Sequence, residues 1–142
     1  MMETKEKVLI TVENTINAPV DKVWKYWTEP EHVTQWNFAS NDWCSPRAKN
    51  DLRVGGEFVY RMEAKDGSMG FDYGGVYDVV KPNEYIESTL GDGRKVSVTF
   101  TPEGSATHIT ESFEPEQMNP VEMQKGGWQA ILDNFKKHTE SN

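Results

Sequence analysis

Between Glu57 and Phe113 the sequence reads as five consecutive strands handed on by tight turns, with no helical segment among them. "GEFVYRMEA" alternates Phe58, Tyr60 and Met62 against Glu57, Val59, Arg61 and Glu63. A period of two, rich in rings and branched side chains, marks a half-buried strand. "KDGS" then supplies Asp-Gly, the pair that accepts the positive φ angles of a hairpin. "MGFDYGGVYDVV" follows, with Met69, Phe71, Tyr73, Tyr77 and Val79 on one parity. "KPNE" turns the chain into "YIESTL", and "GDG" turns it into "KVSVTF", where Val96, Val98 and Phe100 share a face. "PEGSA" leads to the last run, "THITESF". Strands joined this tightly pair antiparallel, as a meander. A sheet that carries large rings on one face must be covered, and this requirement limits the architectures open to the chain.

The flanking segments supply the cover. "KVLITVENTI" alternates Val8, Ile10, Val12, Asn14 and Ile16 against Lys7, Leu9, Thr11, Glu13 and Thr15, a further strand. Pro19 suits the first position of a helix and Asp21 its positive end, and Val20, Val23, Trp24 and Trp27 fall on one helical face. Pro30 ends that helix, and "EHVTQW" predicts a second short one. Residues 37–53 read as irregular and polar, with Asp42, Asn50, Asp51 and Arg53 expected to staple the loop. A closing helix starts near Asn119, with Asn119 as N-cap, Pro120 in the first turn and Glu122 completing a capping box. Its apolar stripe is Trp128, Ile131, Leu132 and Phe135, and no other large element is available to cover the sheet. The expected fold is α+β: a curved antiparallel sheet of six or more strands wrapped around a long C-terminal helix, with two short helices after the first strand. Residues 1–142 read as one domain, a size at which folding buries roughly 70% of the unfolded chain's surface.

Composition narrows the function classes. Twenty-three acidic side chains against fifteen basic ones leave a charge of −8, and no basic cluster longer than "FKKH" interrupts that balance. Such a surface repels phosphate backbones, so nucleic acid and anionic membranes are not expected partners. No eighteen-residue apolar run occurs, so no membrane insertion is expected. The single cysteine, Cys44, has no internal disulfide partner, which together with the rest reads as a reduced, cytoplasmic protein. Apolar residues make up only 36% of the chain but aromatics 11%, a mix of few and bulky groups that favours a shell around a cavity.

"APVDKVW" with "PEHVTQW", then "RVGGEF", "DGS", "GGVYDVV" and the closing "GWQAILDNF" resemble the START-like (SRPBCC, helix-grip) superfamily. Within it they are most similar to the branch related to the C-terminal domain of the activator of the heat-shock-protein-90 ATPase. The likeness runs in the family's order from about Thr11 to Phe135. It specifies a fold and not a function, since relatives include lipid carriers, hormone receptors, polyketide cyclases and chaperone activators. The resemblance implies a deep cavity between the curved sheet and the long helix, closed at one end by the two short helices.

On that architecture the expected cavity walls are Phe58, Tyr60, Met62, Phe71, Tyr73, Val98, Phe100, Met123, Trp128 and Ile131. Trp36, Phe38 and Trp43, where the chain leaves regular structure, are expected at the entrance, whereas Trp24 reads as packing between helix and sheet. Asn14 and Glu111 lie on inward parities of the first and last strands and are the candidate polar anchors. Two readings of Glu111 stand side by side: a strand-end carboxylate reaching water or a lysine, or an enclosed group whose affinity for protons is raised by desolvation. The diglycine Gly74-Gly75 likewise reads either as a point of sheet curvature or as room for a ligand at Gly75. Gly126-Gly127 in the last helix calls for a packing or volume reason.

Catalytic motifs are sparse. His32, His108 and His138 fall on a short helix, an outward strand position and a polar tail, each as a surface residue. No spacing among the histidines, Cys44 and the carboxylates matches a zinc site, and no metal or cofactor is expected. The sequence therefore favours binding of a small, largely apolar molecule, lipid-like or polyketide-like, by burial. A chaperone-interacting module is the second reading, and a cyclase or hydrolase working in the same cavity is the third.

Overall fold

The computed structural model describes residues 8–142; Lys7, expected on the outward parity of the first strand, lies outside them. The meander is present as β4 (Glu57–Ala64), β5 (Gly70–Lys81), β6 (Tyr85–Leu90), β7 (Lys95–Glu103) and β8 (Ala106–Phe113), each antiparallel to the next. β1 (Ile10–Ile16) does not pair with its sequence neighbours but closes the far edge against β8, with Val12 opposite Glu111 and Asn14 opposite Ile109. Two small strands, β2 (Trp43–Cys44) and β3 (Ala48–Asn50), lie along β4 within the segment expected to be irregular. At two and three residues they are too short to leave a periodic signal. The eight strands form one curled antiparallel half-barrel, in the order β1-β8-β7-β6-β5-β4-β2 with β3 also on β4.

Three helices complete the described residues. Helices α1 (Val20–Thr28) and α2 (Pro30–Trp36) meet at the proline that cannot continue α1, and α3 (Val121–Glu140) lies across the sheet. Leu132 and Phe135 of α3 are fully buried together with Ile16, Ile109 and Phe113, so the rings and branched chains of the inward parities find their cover. None of these helices is long and apolar enough to cross a membrane.

Local chemistry departs from expectation at three places. A β-bulge follows Tyr77: Val79 pairs with Glu87 and Val80 with Ile86, so Val80 packs on the core and Val79 leaves the inward parity assigned to it. The start of α3 is not a capping box, because its N-cap is Pro120, which offers no side-chain acceptor. Instead the Asn119 amide donates to Glu116 Oε1 at 2.9 Å. Buried Gln124 ties the same segment down, accepting the Glu116 N–H at 2.9 Å and donating to the Asn119 carbonyl at 2.8 Å. Third, a Cβ on Gly126 or Gly127 would meet nothing within 4 Å beyond the helix's own backbone, so neighbouring side chains give no packing reason for this pair.

The sheet diglycine is different. A Cβ on Gly74 would fall inside contact distance of the Phe58 carbonyl oxygen, and one on Gly75 inside that of the Thr89 carbonyl oxygen. These glycines let β4, β5 and β6 approach where the sheet curls, which favours curvature over ligand room at Gly75. The loop before β4 is stapled by Arg53 Nε on the Asp51 carboxylate at 2.9 Å and by Asn50 Nδ2 on the Thr28 carbonyl at 2.6 Å.

Candidate functional site

A cavity of about 380 Å³ lies between the sheet and α3, a volume at the lower end of small-molecule sites. Trp27 of α1 and Trp36 of α2 form one end. Alternation along the strands delivers Phe58, Tyr60 and Met62 from β4, Tyr73 and Tyr77 from β5, and Val96 and Val98 from β7. Trp128 and Ile131 of α3 form the opposite wall, with Trp128 stacked on Phe113 at 3.8 Å between ring centroids and edge-on to Tyr73 at 6.0 Å. The exposed lining residues Phe71 and Asn119, with the half-buried Glu116 and Arg94, mark the open end.

Of the residues expected on the walls, Phe58, Tyr60, Met62, Phe71, Tyr73, Val98, Trp128 and Ile131 come together here. Phe100 does not: it lies under α1, edge-on to Trp24 at 5.2 Å and to Trp27 at 6.0 Å. Met123 is 64% exposed, because the face that looks inward carries Gln124, Trp128 and Ile131, one position on. Trp36 is not at the entrance; it is 3% exposed, stacks on Trp27 at 4.9 Å and donates its indole N–H to the Tyr26 carbonyl. Phe38 lines a separate surface depression with Asn134 and Lys137, and Trp43 stands half-buried beyond the walls, edge-on to Phe71 at 6.0 Å.

The two polar anchors separate. Asn14 is taken by α3, donating from Nδ2 to Asp133 Oδ1 at 2.9 Å, and does not line the cavity. Glu111 does line it, 8% exposed, between buried Val12 on β1 and buried Val98 on β7. No donor among the described residues hydrogen-bonds its carboxyl, and burial pushes its pKa up to about 8. Burial also raises Tyr60 well above the usual phenol value, with Tyr77 adding to the rise. Tyr73 is raised by burial and further by the Glu111 charge, against the pull of Arg94. Tyr77 is pushed up to about 12 by burial, while its hydrogen bonds, one of them donated to Asn50 Oδ1, lower it.

Several lining residues have no counterpart in the sequence reading. Trp27 reads as helix packing and does pack, edge-on to Phe135 at 4.9 Å, yet its other contacts reach the cavity. Asn37, at the end of α2, is buried with its Nδ2 unpaired among the described residues, and a polar residue after a helix gives no hint of that. Arg94 sits in a turn and is held by Asp92 Oδ2 at 2.7 Å. Tyr77 was legible through its shared parity with Tyr73, and Val96 through its shared face with Val98.

The histidines are less isolated than their sequence positions suggest. His32 Nδ1 lies 3.1 Å from His138 Nε2, and Tyr26 stacks on His32 at 3.8 Å. Burial, then His32 and Lys22, hold the His138 pKa below the ordinary imidazole value. Glu29, Glu31 and His32 each offer a ligand atom within 4.8 Å of one another, a grouping that sequence spacing did not bring out. His108 is an outward strand residue as expected, bonded to Thr15 and Glu13.

Comparison with known proteins gives a consistent family. The sequence profile of the activator of Hsp90 ATPase homolog 1-like proteins matches residues 17–140. A solution structure of an AHSA1-like protein from Aeromonas hydrophila is similar at 39% identity and a TM-score of 0.88, covering 94% of this chain and 93% of that one. A solution structure from Cytophaga hutchinsonii is similar at 59% identity and a TM-score of 0.81, covering 94% and 92%. A Nitrosomonas europaea protein, at 18% identity and a TM-score of 0.81 over 97% of each chain, shares the fold. No curated protein matches the chain.

Proposed function

The chain belongs to the activator of Hsp90 ATPase homolog 1-like family, and on that premise we propose that it binds a small, largely apolar molecule between its sheet and α3. The observation that carries the reading is the cavity itself, about 380 Å³ walled by aromatic and aliphatic side chains, with the Glu111 carboxyl, which no donor among the described residues hydrogen-bonds, among them. An apolar concavity with few convergent polar groups is the usual anatomy of a small-molecule site. Affinity would come from burying ligand surface against the rings, worth about 25 cal/mol per Å² before the costs of association. The acidic balance and the single Cys44 support a reduced, cytoplasmic setting.

Native mass spectrometry of gently purified protein tests this reading, with organic extraction of whatever travels with it. A one-to-one adduct of small mass is expected, and the extract identifies its compound class. Protein that carries no adduct and takes up none from a lipid extract of its host overturns the reading.

Contact with a chaperone is the second reading. It rests on the family's name and on the exposed apolar side chains Met118, Val121 and Met123 around the start of α3. Co-purification with an Hsp90-type chaperone is its expected signature, and loss of that association on removing the three side chains ties it to this surface.

A further inference from the structure

The Glu111 carboxyl is the group the fold leaves unexplained. A buried polar group without a hydrogen-bond partner costs free energy, and a buried charge without one costs more. No donor among the described residues supplies that partner. Arg94 is the one cationic side chain among the described residues on the cavity wall, and its Nε is held by Asp92 while its Nη1 reaches the Glu114 carbonyl at 3.4 Å. The strand neighbours of Glu111, Val12 and Val98, are apolar, and α3 presents only Gln124, Trp128 and Ile131 to the cavity. A strand position that alternation turns inward has thus kept a carboxyl where its neighbours are valines.

Around that carboxyl the cavity offers aromatic rings. Tyr73 lies close enough for the Glu111 charge to raise its pKa, and Trp128 bridges Tyr73 and Phe113, the latter two residues from Glu111 on β8. Ring faces attract cations, most strongly where water is excluded. Anions are disfavoured, because Glu111 and Glu116 line the cavity against the single Arg94 and the chain carries −8. A neutral hydroxyl would satisfy the carboxyl but would gain nothing from the rings beyond burial.

We infer that the cavity selects organic amines: an apolar, ring-sized body bearing one ammonium group, seated against the Glu111 carboxylate beside Tyr73 and Trp128. The inference rests on the ligand-binding reading above and names the ligand class of the same site. It also sets a pH dependence. Near neutral pH the Glu111 carboxyl is largely protonated, so seating an ammonium there releases a proton and amine affinity rises with pH up to about 8. The other titratable groups on the wall do not contribute in that range: Tyr60, Tyr73 and Tyr77 are raised, and hydrogen bonds from Met118 and Asn119 hold Glu116 below the ordinary carboxylate value. Arg94 carries a permanent charge.

Isothermal titration with three probes of one body tests the inference: 1-naphthylmethylamine, 1-naphthylmethanol and 1-naphthoic acid, at pH 6 and pH 8, in two buffers of different ionisation enthalpy. At pH 8 the amine is expected to bind about tenfold or more tighter than the alcohol, with the acid weakest. Its affinity is expected to rise about tenfold or more from pH 6 to pH 8, with buffer-dependent heat reporting the released proton. E111Q is expected to lose both the preference for the amine and the buffer-dependent heat, and the alcohol binding it retains shows that the cavity is intact. Equal binding of amine and alcohol, tightest binding of the acid, or amine binding without proton release overturns the inference and leaves the cavity reading standing. Failure of all three probes to bind overturns both.

Discussion

Replacing Glu111 by glutamine should make the protein more stable as the pH rises. The carboxyl has an ordinary pKa of 4.5 and is pushed up to about 8 in the fold, with burial as the cause. Between those values the folded state holds a proton that the unfolded chain has lost, so ν for the native state exceeds ν for the unfolded state. Stability therefore falls as pH rises, a loss that begins near 4.5 and is complete above about 8. At about 1.4 kcal/mol per pH unit the full interval amounts to about 5 kcal/mol, and relaxation around the cavity reduces the realised figure to about 2–5 kcal/mol. Glutamine has the same shape and no charge. The assay is urea unfolding of wild type and E111Q at half-unit steps from pH 5 to pH 9, and the difference between the two proteins isolates this one group. The variant's advantage should grow steadily from pH 5 and level off above pH 8, whatever fixed offset the amide introduces. A difference that is flat across the series, or that shrinks with rising pH, would show that Glu111 is ionised and solvated in the native state.

Three further perturbations probe how the fold holds the cavity. G75A should cost about 1–3 kcal/mol, because its Cβ would press on the Thr89 carbonyl oxygen, whereas G126A should gain about 0.5–1 kcal/mol because its Cβ meets only open space; thermal midpoints moving in opposite directions confirm both. Q124A should cost about 1–3 kcal/mol and speed hydrogen exchange at the Glu116 amide, the group its side-chain oxygen now accepts from; unchanged exchange would mean the segment is held by something else. The lowered pKa of His138 means that the unfolded chain gains protons first as pH falls. The stability it contributes is thus present above about 6.5 and is lost on acidification through its lower folded value, so H138Q should flatten the decline of the thermal midpoint between pH 6.5 and pH 5; a midpoint that rises on acidification through this residue would contradict the assignment.

How far the sequence could be read followed from how each residue's position is encoded. Strand alternation is a strict period, so Phe58, Tyr60, Met62, Tyr73 and Val98 could be placed on one face before any coordinates, and Glu111 with them. Alternation failed only where the backbone broke it, at the bulge that turned Val79 outward. Helical faces were read less sharply. A shift of one residue is about 100° of rotation, enough to put Met123 in solvent and Gln124 on the wall. Asn14 sits on the correct parity of β1, but α3 crosses that strand and claims its amide through Asp133, a tertiary contact with no local signature. Loop residues were the least legible. Asn37, Arg94, Glu116 and Asn119 reach the cavity because long-range packing folds their segments over its ends. The pairing of His32 with His138, 106 residues apart, is invisible to spacing for the same reason.

The most direct test of the cavity as a binding site is a titration of ¹⁵N-labelled protein with 1-naphthylmethanol, the neutral probe, followed by amide and indole chemical shifts. The account predicts saturation at one equivalent. It further predicts that the perturbed signals converge on Tyr60, Tyr73, Val98 and Glu111 in the sheet and on Trp128 and Ile131 in α3. No perturbation at saturating probe, or shifts confined to the surface depression around Phe38 and Lys137, would contradict it.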